Sequence, residues 1–168
     1  MRVAVTGTPG TGKTTATERL DSNRQVVHLN EVIREAGLTT GRDDRRDTLV
    51  TDTDAVADWL AGHEDVLFES HLAHHFSADR VVVLRCHPEE LAARLRERGE
   101  PSQTVAENAE SEALDIVLAE AVDRHGEDRV YEVDTTDLDP AAVTATIEAV
   151  ITGEREPSAG TVSFVEYL

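Results

Sequence analysis

The stretch Gly7-Thr8-Pro9-Gly10-Thr11-Gly12-Lys13-Thr14 constrains this chain more than any other, because it fits the pattern G-x-x-x-x-G-K-[ST]. Arg2-Val3-Ala4-Val5-Thr6 before it reads as a short buried strand, and Thr15 to Leu20 after it as the first turns of a helix. A strand, a glycine-rich loop and a helix in that order form a phosphate loop. Glycine lets the backbone come close to a phosphate, and the loop aims its N–H groups inward at the positive end of a helix. In this reading Gly10, Gly12, Lys13, Thr14 and Thr15 hold the phosphates of ATP. Lys13 reaches the β- and γ-phosphates, and the Thr14 hydroxyl ligates Mg²⁺. Lys13 is the only lysine among 168 residues, the other basic residues all being arginine.

The rest of the chain alternates apolar runs with helical stretches, which predicts an α/β fold. Strands are expected at 25–28, 65–69, 80–85 and 129–133. With the first, they make a five-stranded parallel sheet with helices on both faces. The first helix is expected to run from about Lys13 to Leu20 and to stop at the turn Asp21-Ser22-Asn23. Asn30 is expected to cap a helix through Glu35, and Asp52 or Thr53 to cap one that ends near Gly62. Thr39 to Asp47, polar and carrying Arg42, Arg45 and Arg46, reads as a mobile loop. Pro88 opens a helix with Leu91 and Leu95 as its buried stripe. One long helix is expected from about Thr104 to Arg124, with Ala109, Ala113, Val117 and Ala121 on one face. Pro140 opens the last helix. The whole chain, 1–168, reads as one domain, with a polar tail from 153 that turns apolar at Val162 to Leu168. That apolar end either packs back on the domain or docks a partner.

Composition narrows the classes. The net charge is −18, from 34 acidic and 16 basic residues spread along the chain. Spread acidity without lysine fits adaptation to a very salty cytoplasm better than an acidic interaction tail. It argues against DNA binding, which needs a basic face. The lone Cys86 excludes an internal disulfide and fits a reducing cytoplasm. No apolar run approaches the roughly 20 residues that span a bilayer. The chain enters its first strand at once, so no signal peptide is expected.

Four further sets carry chemistry. Glu69 ends an apolar strand, where a carboxylate holds Mg²⁺ directly or through water. His71, two residues on, is read as a solvated loop histidine, as part of a metal cluster with His74 and His75, or as a neutral base beside the γ-phosphate. Arg98 stands where a helix meets Gly99 and is read as an arginine that swings in on the transferring group. Arg94 shares its face, whereas Arg96 is read as solvated. Arg34 is read as a clamp on the phosphate of a second substrate or as a surface arginine paired with Glu31 or Glu35.

Together these residues resemble the small archaeal and eukaryotic adenylate kinases of the nuclear adenylate kinase 6 type, also known as the Fap7 ribosome-assembly ATPases. The marks are Gly7 to Thr15, Glu69-Ser70-His71, Val83-Leu84-Arg85, Arg98-Gly99, Glu107-Asn108 and Glu112. The charge pattern adds a halophilic archaeal source. The resemblance implies an adenylate-kinase-like P-loop NTPase fold, a monophosphate-binding region at about 28–51 and a short lid at about 97–107. It implies γ-phosphate transfer from ATP to AMP or another nucleoside monophosphate with Mg²⁺, accompanied by ATP hydrolysis. It also implies a part in late small-ribosomal-subunit (16S rRNA) maturation, through ribosomal protein uS11 and the pre-30S particle. The family has Asp-x-His where this chain has Glu69-Ser70-His71, and an aromatic where it has Glu100. Lid lysines are absent, with Gln103 and Thr104 in that stretch. Two other readings stand beside the kinase: an assembly ATPase in which His71 orients water, and a small-metabolite kinase of the shikimate kinase type.

Overall fold

The computed structural model describes residues 1–21 and 23–168; Ser22, expected in the turn after the first helix, lies outside them. Strand β1 (Arg2–Thr6) sits at the centre of a five-stranded sheet. Its Val3, Ala4 and Val5 are wholly buried, as a strand covered on both faces requires. β2 (Gln25–His28), β5 (Val66–Glu69), β6 (Arg80–Arg85) and β7 (Val130–Asp134) complete the sheet in the order β2-β5-β1-β6-β7. All of its pairings are parallel, as expected.

Side chains alternate across β1 and so divide the core. Ala4 faces Leu29 and Ile33 of α2 (Leu29–Glu35), Val56 and Leu60 of α3 (Thr53–Ala61), and Leu118 and Ala121 of α6 (Ile116–His125). Val3 and Val5 face Ala16 of α1 (Lys13–Thr17) and Val143, Ile147 and Val150 of α7 (Pro140–Thr152). A third apolar cluster joins α4 (Pro88–Glu97) to α5 (Ser102–Ala113) through Leu91, Leu95, Val105 and Ala109.

The structure corrects four expectations. Residues 39–47 are not a loop: β3 (Thr39–Asp43) pairs antiparallel with β4 (Thr48–Thr51), and Asp47 takes φ 51° in the turn. The hairpin is mostly exposed on both faces, so no apolar alternation marks it. The long helix at 104–124 is two, α5 and α6, parted at Asp115, which adopts φ 56°. An aspartate tolerates the left-handed region, and its carboxylate is drawn to Arg85. The first helix ends at Thr17, whose hydroxyl turns back onto the carbonyls of Lys13 and Thr14. α2 starts two residues early with His28 as its cap, and the Asn30 side chain instead accepts a bond from Ser70 Oγ at 2.8 Å. Asp52 does cap α3, accepting from Ala55 N at 3.1 Å.

The C-terminal segment folds back on the domain. Glu132 accepts from the N–H groups of Thr161 and Val162, and Phe164 is buried, its ring 5.3 Å from the Arg85 guanidinium carbon. Val165, Tyr167 and Leu168 remain exposed.

Candidate active site

The phosphate loop leaves the carboxyl end of β1 and turns into α1. Gly7 is required by space: a Cβ there would stand 2.5 Å from the Leu84 carbonyl oxygen. Gly12 caps α1 with φ 95°, in the left-handed region that side chains rarely enter. Lys13 follows, and its ammonium donates to the carbonyls of Gly7 at 2.8 Å and Thr8 at 3.0 Å. Its pKa is lowered from 10.5 to about 8, chiefly by burial, which outweighs the pull of Glu69 and Glu112 and is assisted by Arg98.

Strand pairing sets Glu69 beside the loop. In register, Glu69 lies between Val5 of β1 and His28 of β2. Its Oε1 accepts from Thr14 Oγ1 at 3.1 Å and lies 2.7 Å from His28 Nδ1. Thr14 and Glu69 thus converge as a hydroxyl and a carboxylate, the oxygen donors that suit a hard divalent cation, so the pair fits Mg²⁺.

A cavity of about 150 Å³ is lined by Pro9, Gly10, Gly12, Lys13, Thr14, Thr15, Asn30, Glu69, His71 and Arg98. The structure therefore brings together every expected site residue except Arg34. Arg34 lines neither this cavity nor the two beside it; it is exposed, and its Nε donates to the Asn30 carbonyl one turn back at 3.3 Å. His71 is held neutral, its pKa lowered from 6.5 to about 4 by burial first and then by Lys13, His74 and His75.

His71 also lines a second, wider cavity of about 620 Å³, between Leu49 and Thr51 of the hairpin, Thr53, Asp54 and Ala57 of α3, Leu72, His75, Phe76 and Ser77, and Arg124 of α6. Arg98 likewise lines a third, of about 190 Å³, with Arg94, Thr135, Leu138, Pro140 and Val143 on the other side of the phosphate loop. Arg94 is also tied to Glu90 one turn back at 3.1 Å.

His74 does not join His71 in the cavity. It is buried with both nitrogens engaged, Nδ1 at 2.7 Å from Thr6 Oγ1 and Nε2 at 2.8 Å from Glu120. Among the described residues, His74, His75 and Glu120 are the group close enough to share a metal ion, but these hydrogen bonds satisfy His74 without one. Cys86 is buried, and its thiol is pushed up to about 11, chiefly by desolvation, so it is unreactive at neutral pH.

Two site residues, His28 and Asn30, escape a reading of the sequence. The signal for His28 is the β2–β5 register, which sets it against Glu69 and is visible only once the strand order is known.

The AAA domain family model matches residues 3–115. A protein of Natronomonas pharaonis named "Putative adenylate kinase" is 64% identical over 168 residues, covering 100% of both chains. One of the same name from Halobacterium salinarum is 60% identical over 169 residues, again over 100% of each. The chain belongs to this archaeal adenylate kinase family. Both relatives come from halophilic archaea, in keeping with the acidic, lysine-poor composition of this member. Among solved structures, shikimate kinase from Acinetobacter baumannii in complex with shikimate superposes with a TM-score of 0.62 at 16% identity. The match covers 92% of this chain and 94% of that one. At that identity the likeness is one of fold: this family member has a P-loop kinase fold. Among the described residues no helix is long and apolar enough to cross a membrane.

Proposed function

We propose that the protein transfers the γ-phosphate of ATP to AMP, giving two ADP, with some hydrolysis of ATP when no acceptor is bound. The observation that carries this is His71. It lines both the phosphate-loop cavity and the wider cavity under the hairpin, so donor and acceptor would meet at one neutral imidazole. The family name supports adenylate as acceptor.

In this reading the donor phosphates lie on the loop from Gly10 to Thr15. Lys13 leaves its carbonyl partners for the β- and γ-phosphate oxygens. The adenine takes the third cavity, between Arg94 and the Leu138–Pro140 segment. Thr14 and Glu69 would hold Mg²⁺, which when bound neutralises phosphate charge. Arg98, at the end of α4, brings its guanidinium onto the transferring group as the lid, about 97–107, closes. The γ-phosphorus bond to the ADP oxygen breaks as an AMP phosphate oxygen bonds to it. The residues contribute position and charge rather than covalent chemistry. The hairpin and α3, within the monophosphate-binding region of about 28–51 and just beyond it, would close on the acceptor.

Hydrolysis follows from the same geometry. Neutral His71 offers a ring nitrogen to a water that occupies the acceptor's place. An enzyme whose main task is ATP hydrolysis in small-subunit maturation, bound to uS11, is the second reading. It rests on the family resemblance and on the neutral state of His71.

An acceptor screen tests the proposal. ATP and Mg²⁺ are offered with AMP, other nucleoside monophosphates and shikimate, with Lys13→Ala as the blank. Transfer to AMP above the rest supports the reading, and transfer to shikimate alone contradicts it.

A further inference from the structure

Behind the phosphate loop lies a buried contact that the motif does not require. The pattern leaves Thr8 unspecified, yet Thr8 is 1% exposed and its hydroxyl donates to Glu112 Oε2 at 2.6 Å. Glu112 is itself 2% exposed. Its other oxygen accepts from Arg85 Nε at 2.8 Å and from Cys86 N at 3.0 Å. Both carboxylate oxygens are thus bonded, and the Arg85 guanidinium offsets the buried charge.

The backbone of Thr8 faces the other way. Its carbonyl accepts from Lys13 Nζ at 3.0 Å, from Thr11 Oγ1 at 2.9 Å and from Thr11 N at 3.3 Å. One residue therefore joins the Glu112 carboxylate to the loop's only lysine. Glu112 belongs to α5, which packs on α4 through Leu91, Leu95, Val105 and Ala109, and α4 ends at Arg98.

Lys13 and Arg98 therefore come from two parts of the fold: the loop after β1 and the α4–α5 pair. Apolar packing holds such parts together but is non-directional. A short hydrogen bond to a charged group adds direction. We infer that Glu112 is a positioning residue: through the Thr8 hydroxyl it fixes the phosphate loop against the α4–α5 pair, so that Lys13 and Arg98 reach the transferring group together. The inference rests on the kinase reading where it concerns turnover, but its effect on nucleotide affinity does not.

The experiment compares Thr8→Val, which keeps the shape and removes the hydroxyl, with Thr8→Ser, which restores it. Both are assayed at high KCl well below their melting midpoints. Thr8→Val is expected to lower kcat by about tenfold, the usual scale for a lost hydrogen bond to a charged group. Its KM for AMP should stay within about twofold of the parent. Thr8→Ser is expected to recover the parent kcat. Thr8→Ala, which adds no methyl beside the carboxylate, takes the place of Thr8→Val if the latter fails to fold, with the same loss expected. A parent-like kcat in the hydroxyl-free variant overturns the inference. So does a loss that Thr8→Ser fails to restore, which would make the role one of shape. If the parent transfers nothing to AMP, the kinase reading fails separately. The same variants are then compared for ATP affinity, where a loss restored by serine supports the positioning role and an unchanged affinity overturns it.

Discussion

His28 and Glu69 face each other across the β2–β5 pairing, His28 Nδ1 lying 2.7 Å from Glu69 Oε1. The same oxygen accepts from Thr14, so the histidine steadies the carboxylate proposed to hold Mg²⁺. Partners of this kind orient a ligand and commonly change metal affinity or activity by 10–100-fold when removed. His28→Ala should raise the Mg²⁺ concentration for half-maximal activity by roughly tenfold at unchanged fold. A Mg²⁺ titration of the variant that overlays the parent's would remove His28 from the account.

Arg85 is 1% exposed and is bonded to Glu112, Glu132 and Asp115, with Phe164 over its guanidinium. Burial alone would disfavour its charge, but the carboxylates, Glu112 foremost, outweigh that and raise its pKa. Removing one partner of a buried charge cluster typically costs about 3–5 kcal/mol, because the others are left unpaired. Arg85→Met should therefore lower unfolding stability by about 3 kcal/mol or more in denaturant titrations at high KCl. Arg98→Ala, an exposed change, should leave stability nearly intact and reduce turnover instead.

His74 sets a dependence on acid. Its pKa is lowered, first by burial, against the pull of its bond to Glu120. The unfolded chain takes up a proton near pH 6.5 that folded His74 refuses, so stability falls as the pH drops below about 6.5 towards the folded value. His71 and His75 act in the same direction. His74→Gln should flatten the fall in melting temperature between about pH 6.5 and 5. An unchanged slope would mean that His74 is charged in the fold.

Deleting residues 158–168 removes the Thr161 and Val162 N–H groups from buried Glu132 and uncovers Arg85 by taking away Phe164. The truncated protein should melt several degrees lower, as a loss of 1 kcal/mol or more implies for a chain of this size. A truncated chain with the parent melting temperature would mean that the tail serves a partner rather than the domain.

The parts legible in the sequence are those whose signal is local. The phosphate loop is a spacing of residues, and Glu69, His71 and Arg98 stand at strand and helix ends that apolar runs and a glycine mark. What escaped either lacks an apolar pattern or depends on contacts distant in the chain. The β3–β4 hairpin buries neither face well, so nothing distinguished it from a polar loop. Ala109, Ala113, Val117 and Ala121 continue one helical face through position 115, and only the pull of Arg85 on Asp115 shows why the helix breaks there. The sequence leaves Arg34 open between a phosphate clamp and a surface arginine, because which side of its helix faces the cavity depends on packing; it lies exposed, bonded to the Asn30 carbonyl and away from the cavity. The Glu112–Thr8 bond spans 104 positions and leaves no trace in any short window.

Whether AMP is the acceptor is decided by following ADP and free phosphate together, at high KCl, with ATP and Mg²⁺, in the presence and absence of AMP. With AMP present, two ADP are expected for each ATP consumed, with little free phosphate, and no turnover in Lys13→Ala. Phosphate released at the same rate with or without AMP would contradict the kinase and leave the ATPase.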